Sequence, residues 1–136
     1  MTTLYPFKEI LICGKDYSEI AQKRQSLHDL LNIPFISLTD GTATHDSHHQ
    51  YFFDNHLKFA PDIEAATTDQ IIPMVIHNLG IGFCPEKLAK PFIESGDILQ
   101  IPLIESELER EICLIQDISR GTSIAVSKLI NMLIED

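Results

Sequence analysis

Residues 78–89 read Asn78-Leu79-Gly80-Ile81-Gly82-Phe83-Cys84-Pro85-Glu86-Lys87-Leu88-Ala89. The apolar run LGIGF predicts a short buried strand. Pro85 suits the first turn of a following helix, because its φ is already helical and its missing N–H would find no partner there. The helix continues through EKLAK, and Pro91 and Gly96 close it. A strand that turns directly into a helix is half of a βαβ unit.

The same alternation extends both ways. Upstream, residues 8–13 (KEILIC) read as a buried strand ended by Gly14. Ser26 caps a short helix, LHDLLN. Pro34 opens the strand FISL, and the turn TDGTAT (residues 39–44) leads into a helix near residues 45–57. Pro61 ends that region, and DIEAA forms a strand. Thr67 or Thr68 caps a helix running to about Asn78, in which Pro73 removes backbone bonding or makes a kink. Downstream, ILQIPL and REICLIQ read as strands, and residues 122–135 as an apolar-rich helix. Strands separated by helices predict an α/β fold with a mostly parallel central sheet flanked by helices. There is no internal repeat or low-complexity tract.

Composition narrows the function. The chain has 136 residues, 44% of them hydrophobic, which suits one domain or two very small ones. Its formal net charge of −10 repels phosphate backbones, so no direct nucleic-acid binding is expected. No apolar run could span a bilayer and no signal peptide is visible, which predicts a cytoplasmic protein without a membrane partner. Cys13, Cys84 and Cys113 lie in apolar surroundings and in odd number, so they read as buried thiols of a reducing compartment.

Two turns are candidate ligand positions. Asp40-Gly41-Thr42-Ala43-Thr44 follows one strand and Thr67-Thr68 follows the next. In open α/β sheets ligands bind beyond the carboxyl ends of strands, where helix N-termini offer free N–H groups. Simple capping accounts for the same threonines. His45, His49 and His56 fall at i, i+4 and i+11, on one helix side with Phe52. Without an HExxH spacing they read as hydrogen-bonded or solvated groups able to collect metal only adventitiously; neither a metal site nor a cofactor is expected. The GK pair at Gly14-Lys15 lacks the rest of a P-loop, and Gly80-Ile81-Gly82 fails the dinucleotide fingerprint at Pro85. No nucleophile, base and orienter assemble, so no catalytic residue and no enzyme activity are expected.

The segment at residues 78–89 resembles the signature of the effector-binding domain of LysR-type transcriptional regulators: Leu-Gly-Ile-small, an apolar pair, Pro-Glu, then Leu-Ala. Ser26-Leu27 with Asp29-Leu30 and Pro34-Phe35-Ile36 is similar to the family's upstream stretch. Gly41 to Thr44 stand at its glycine- and threonine-rich turn, and Pro61, Ile63 and Thr67 at the next strand and cap. Gly96, Leu99, Pro102-Leu103, Arg110, Arg120, Ser123 and Ala125 follow in order. Asn78, His45, Ile124 and Pro73 depart from the pattern.

The resemblance implies a periplasmic-binding-protein-like (type II) lobe. It places the second lobe at about residues 14–112, crossover strands at 8–14 and 110–116, hinges at Gly14 and Ile115, and a first-lobe helix at 122–135. It implies that the DNA-binding domain and much of the first lobe lie outside this chain, so that any DNA contact is made elsewhere. The expected partner is a small polar or anionic effector, held by Thr42, Thr44, His45, Thr67 and Thr68, weakly in the absence of the other half of the cleft. A small-molecule-binding lobe of a solute-binding protein not linked to transcription is the alternative. The apolar stretch IAVSKLINMLI at residues 124–134 adds the expectation of a homo-oligomer.

Overall fold

The computed structural model describes residues 2–114. Its strands are β1 (Thr2–Cys13), β2 (Phe35–Leu38), β3 (Ile63–Ala65), β4 (Ile81–Pro85), β5 (Leu99–Gln100) and β6 (Leu108–Leu114). Its helices are α1 (Ala43–Asp54), α2 (Ile71–Ile76) and α3 (Glu86–Glu94), with 3-10 segments at Lys15–Gln22, Leu27–Leu30 and Thr68–Gln70. The chain divides into two compact units. One is Lys8–Leu108. Among the described residues the other holds 2–7 and 109–114, where the Arg110 guanidinium lies 5.6 Å from the ring centre of Phe7.

In the Lys8–Leu108 unit the strand order is β3-β2-β4-β1-β5. β2 runs parallel to β3, with Ile36 opposite Ile63 and Leu38 opposite Ala65, and parallel to β4, with Ile36 opposite Gly82. β1 runs against both β4 and β5, with Leu11 opposite Phe83 and Ile12 opposite Gln100. The core of the sheet is therefore mostly parallel, and β1 alone reverses direction.

Both faces are covered. Ile10, Ile12, Ile36, Leu38, Cys84 and Ile98 pack on one side with Ile71, Ile72 and Val75 of α2 and Ala89 of α3. Leu11, Phe35, Ile81 and Phe83 pack on the other with Tyr51 and Phe52 of α1 and with Leu27 and Leu30. Burial on both faces explains why the strands read as continuous apolar runs rather than as alternation. Ser26 caps its 3-10 turn as expected, accepting a hydrogen bond from the His28 N–H. Gly80 lies so close to β2 that a Cβ there would meet the Pro34 carbonyl oxygen at 2.5 Å.

Several sequence expectations change. β1 starts at Thr2, well before residue 8, and β5 is reduced to Leu99–Gln100 because Pro102 follows. α1 ends at Asp54, so His56 stands beyond it with φ +61°. α2 begins only at Ile71, after a separate 3-10 turn. Pro73 thus falls in its first turn, where no intrahelical donor is needed, and no kink results. Pro91 lies inside α3 rather than closing it.

The boundary between the two units lies away from Gly14. It falls between Phe7 and Lys8, and between Leu108 and Glu109. Gly14 stands at the opposite end of β1 and is a packing position: a Cβ there would lie 2.4 Å from the Val75 carbonyl oxygen and 2.2 Å from Asn78 Oδ1. Asn78 itself takes φ +61° and accepts a hydrogen bond from the Asp16 N–H at 3.0 Å. Ile115 and the helix expected at 122–135 lie outside the described residues. Gly14→Ala should lower stability by about 1–3 kcal/mol through overpacking, read as a reduced urea midpoint with an unchanged m-value.

Candidate functional site

Parallel pairing of β2 with β3 and β4 sends their carboxyl ends to one edge of the sheet. The turn after β2 and the turn after β3 are neighbours there, joined by the Thr39 N–H donating to the Ala65 carbonyl at 3.2 Å. Each leads into a helical segment, α1 or the 3-10 turn Thr68–Gln70. The sequence-predicted residues therefore gather along this edge, in two adjacent turns.

Their chemistry is not uniform. Thr42 Oγ1 donates to the Thr39 carbonyl at 2.9 Å and accepts from the His45 N–H at 3.1 Å. Its hydroxyl proton is thus committed inside the turn, and Thr42 acts as the N-cap of α1. Gly41 takes φ +95° to close the same turn. Thr44 is half-buried, Thr67 is exposed with no side-chain cap bond, and Thr68 is half-buried. Gln70 Oε1 accepts from the Ala66 N–H at 2.9 Å and steadies the second turn.

His45 packs edge-on against Phe59, with ring centres 5.2 Å apart. Its Nδ1 is buried without a hydrogen-bond partner, facing Asp40 Oδ1 at 3.7 Å and Asp46 Oδ1 at 4.0 Å. His49 flanks Phe59 as well, at 6.1 Å, and is exposed. The single face expected for His45, His49 and His56 is broken, because His56 has left the helix.

His48 carries the most buried polar contacts of α1. Its Nε2 lies 2.7 Å from Glu9 Oε2 on β1, and its Nδ1 lies 2.8 Å from Ser37 Oγ on β2. The His48 side chain is 0% exposed and that of Glu9 1%. The pair spans β4, whose Phe83 ring lies 5.6 Å from the imidazole. With Nε2 donating to the carboxylate, Nδ1 accepts the Ser37 hydroxyl proton, or donates to Ser37 Oγ when the ring is doubly protonated. A serine, histidine and carboxylate in series resemble a hydrolase triad in composition only. Ser37 is 0% exposed, so its hydroxyl meets no substrate. No sequence motif marks this chain of three residues. The available signal was Ser37 inside the apolar run FISL and Glu9 at the head of the apolar run ILIC.

Cys13 and Cys84 are buried as expected, and the side chain of Cys113 lies outside the described residues. Burial pushes the Cys13 thiol up to about 11. Burial, and then the Glu9 charge, pushes Cys84 up to about 12. Burial and then Glu105 raise Tyr51 to about 12, and its hydroxyl donates to the Ser106 carbonyl at 2.7 Å. A cavity of about 230 Å³ lies near the amino ends of β2 and β4, lined mainly by apolar groups such as Leu30, Phe52 and Ile81. Among the described residues no helix is long and apolar enough to cross a membrane.

A sheet with parallel β2, β3 and β4, a reversed β1 and a boundary beside Lys8 sets the comparison with known proteins. The family model described as "LysR substrate binding domain" matches residues 1–136. The chain belongs to this family. Its fold is of the periplasmic-binding-protein type II class. No curated protein matches it. Among solved structures it is similar to the effector-binding domain of QuiR in complex with shikimate, with 12% identity and a TM-score of 0.81 over 98% of this chain and 63% of that one. It is similar also to the regulatory domain of CcmR from Synechocystis PCC6803 in complex with 2-PG, with 12% identity and a TM-score of 0.76, covering 98% and 64%. The regulatory domain of MetR from N. meningitidis matches at 16% identity and a TM-score of 0.74, covering 98% and 62%. The chain thus spans less than two thirds of each of these relatives.

Two measurements check the buried groups. His48→Leu should cost about 3–5 kcal/mol, because it removes the imidazole from a buried carboxylate. Adding Glu9→Leu should recover part of that loss, so a double-mutant cycle should give a coupling well above 1 kcal/mol. In the native protein at pH 8, Cys13 and Cys84 should hold no more than about one thiolate in a thousand. Both should resist alkylation until denaturant is added, and react only as pH rises toward their raised values.

Proposed function

We propose that this chain is an effector-sensing regulatory domain of a LysR-type transcriptional regulator, and that the turns after β2 and β3 form part of its effector-binding site. The carrying observation is the parallel register that puts Leu38 beside Ala65, because it sets the two turns side by side at the carboxyl edge. Thr44, His45, Thr67 and Thr68 are the contacting residues in this reading, and Thr42 holds the turn that presents them. Threonine hydroxyls and the N-terminus of α1 favour a small polar or anionic molecule. The similar domains that hold shikimate and 2-PG support that class.

The mechanism is a population shift. An effector that binds one conformation of the regulator better than another moves the balance between the two by that difference in affinity. Regulation rather than catalysis, a cytoplasmic location, homo-oligomer formation and DNA contact through a separate domain belong to the same proposal.

Nitrogen-15 NMR with shikimate and 2-PG as probes tests it. The amide shifts should cluster at Thr44, His45, Thr67 and Thr68, with weak affinity. Shifts confined to the opposite strand ends, around Pro34 neighbours and Gly80, would overturn the assignment of the site.

A further inference from the structure

Asp40, His45 and Asp46 form a cluster that the effector reading leaves unexplained. Their donor atoms all lie within 4.8 Å of one another. A buried imidazole nitrogen normally finds a partner, because leaving it bare forfeits the hydrogen bond that water would supply. His45 Nδ1 has none. Were the ring an imidazolium hydrogen-bonded to either acid, the contact would stand near 2.8 Å. Both carboxylates stand off instead, at 3.7 Å and 4.0 Å. Ligand atoms bound to one small divalent ion at about 2.0–2.2 Å are separated by roughly 3–4 Å, and the two distances from His45 Nδ1 to the carboxylates fall in that range.

The ring is also held in place. Its backbone N–H is tied to Thr42 Oγ1, and its edge is set against Phe59. Only the acids are free to adjust, at 88% and 75% side-chain exposure. Two carboxylates and a neutral imidazole would neutralise a divalent charge, and the net charge of −10 draws cations toward the surface. Mixed nitrogen and oxygen donors suit zinc or manganese, with the remaining positions left to water.

We propose that Asp40, His45 and Asp46 bind one divalent first-row metal ion at the N-terminal turn of α1. The site stands on this local geometry and not on the effector reading; only His45 is shared. Calorimetric titration of the chain with zinc chloride, and separately with manganese chloride, tests it with the metal alone. One ion per chain is expected with at least one of the two metals. Affinity should fall at least tenfold in Asp40→Asn and in His45→Gln, and should persist in His49→Ala and His56→Ala. Because Asp40 and Asp46 are exposed, Asp40→Asn and Asp46→Asn keep the test decisive even where His45→Gln unfolds. Absence of binding with both metals overturns the proposal. So does binding that survives Asp40→Asn and Asp46→Asn but disappears in His49→Ala, since that marks adventitious chelation by surface histidines.

Discussion

β2 pairs in parallel with β3 on one side and with β4 on the other, and the rest of the unit follows from that constraint. Parallel neighbours cannot be joined by tight turns, so each connection must climb over a face of the sheet as a helix. α1 covers one face, and α2 and α3 the other. The strand-to-helix turns after β2, β3 and β4 then all emerge at the carboxyl edge. The candidate site is the place where two such turns lie next to each other. Its position is a consequence of strand direction, not of any one residue in it.

A sheet buried on both faces has little tolerance for polar side chains, because each needs a partner within the core. Glu9 on β1 and Ser37 on β2 are buried polar side chains, and His48 answers both at 2.7 Å and 2.8 Å. Replacing such a chain by apolar groups of similar volume is often neutral for stability, whereas removing one member is not. Its structural effect is directional. Two hydrogen bonds tie α1 to strands on either side of β4, so the orientation of the helix, and with it the Thr42 turn, is set from within the core.

Local chemistry was legible where it depends on a few neighbouring residues. The strand and helix order, the Ser26 and Thr42 caps and the end of β1 at Gly14 are present because proline, glycine and hydroxyl side chains act on their own backbone. The adjacency of the turns at Thr42 and Thr67 was implicit in the alternation of strands and helices. The four clustered histidines were not separable by sequence. His45, His48 and His49 lie on one short helix, yet one faces two acids, one is sealed in the core and one is exposed. Helical spacing ranks such residues by angle and says nothing of what stands opposite.

By itself the sequence determined the α/β class, the family and the two threonine-bearing turns, since these rest on apolar patterning and on residues within one turn of each other. Tertiary structure alone decided that β1 reverses against β4, and that Glu9, Ser37 and His48 meet. Those outcomes depend on contacts across tens of residues. A strand reads the same in either direction, and a buried glutamate reads the same as an exposed one until its partner arrives.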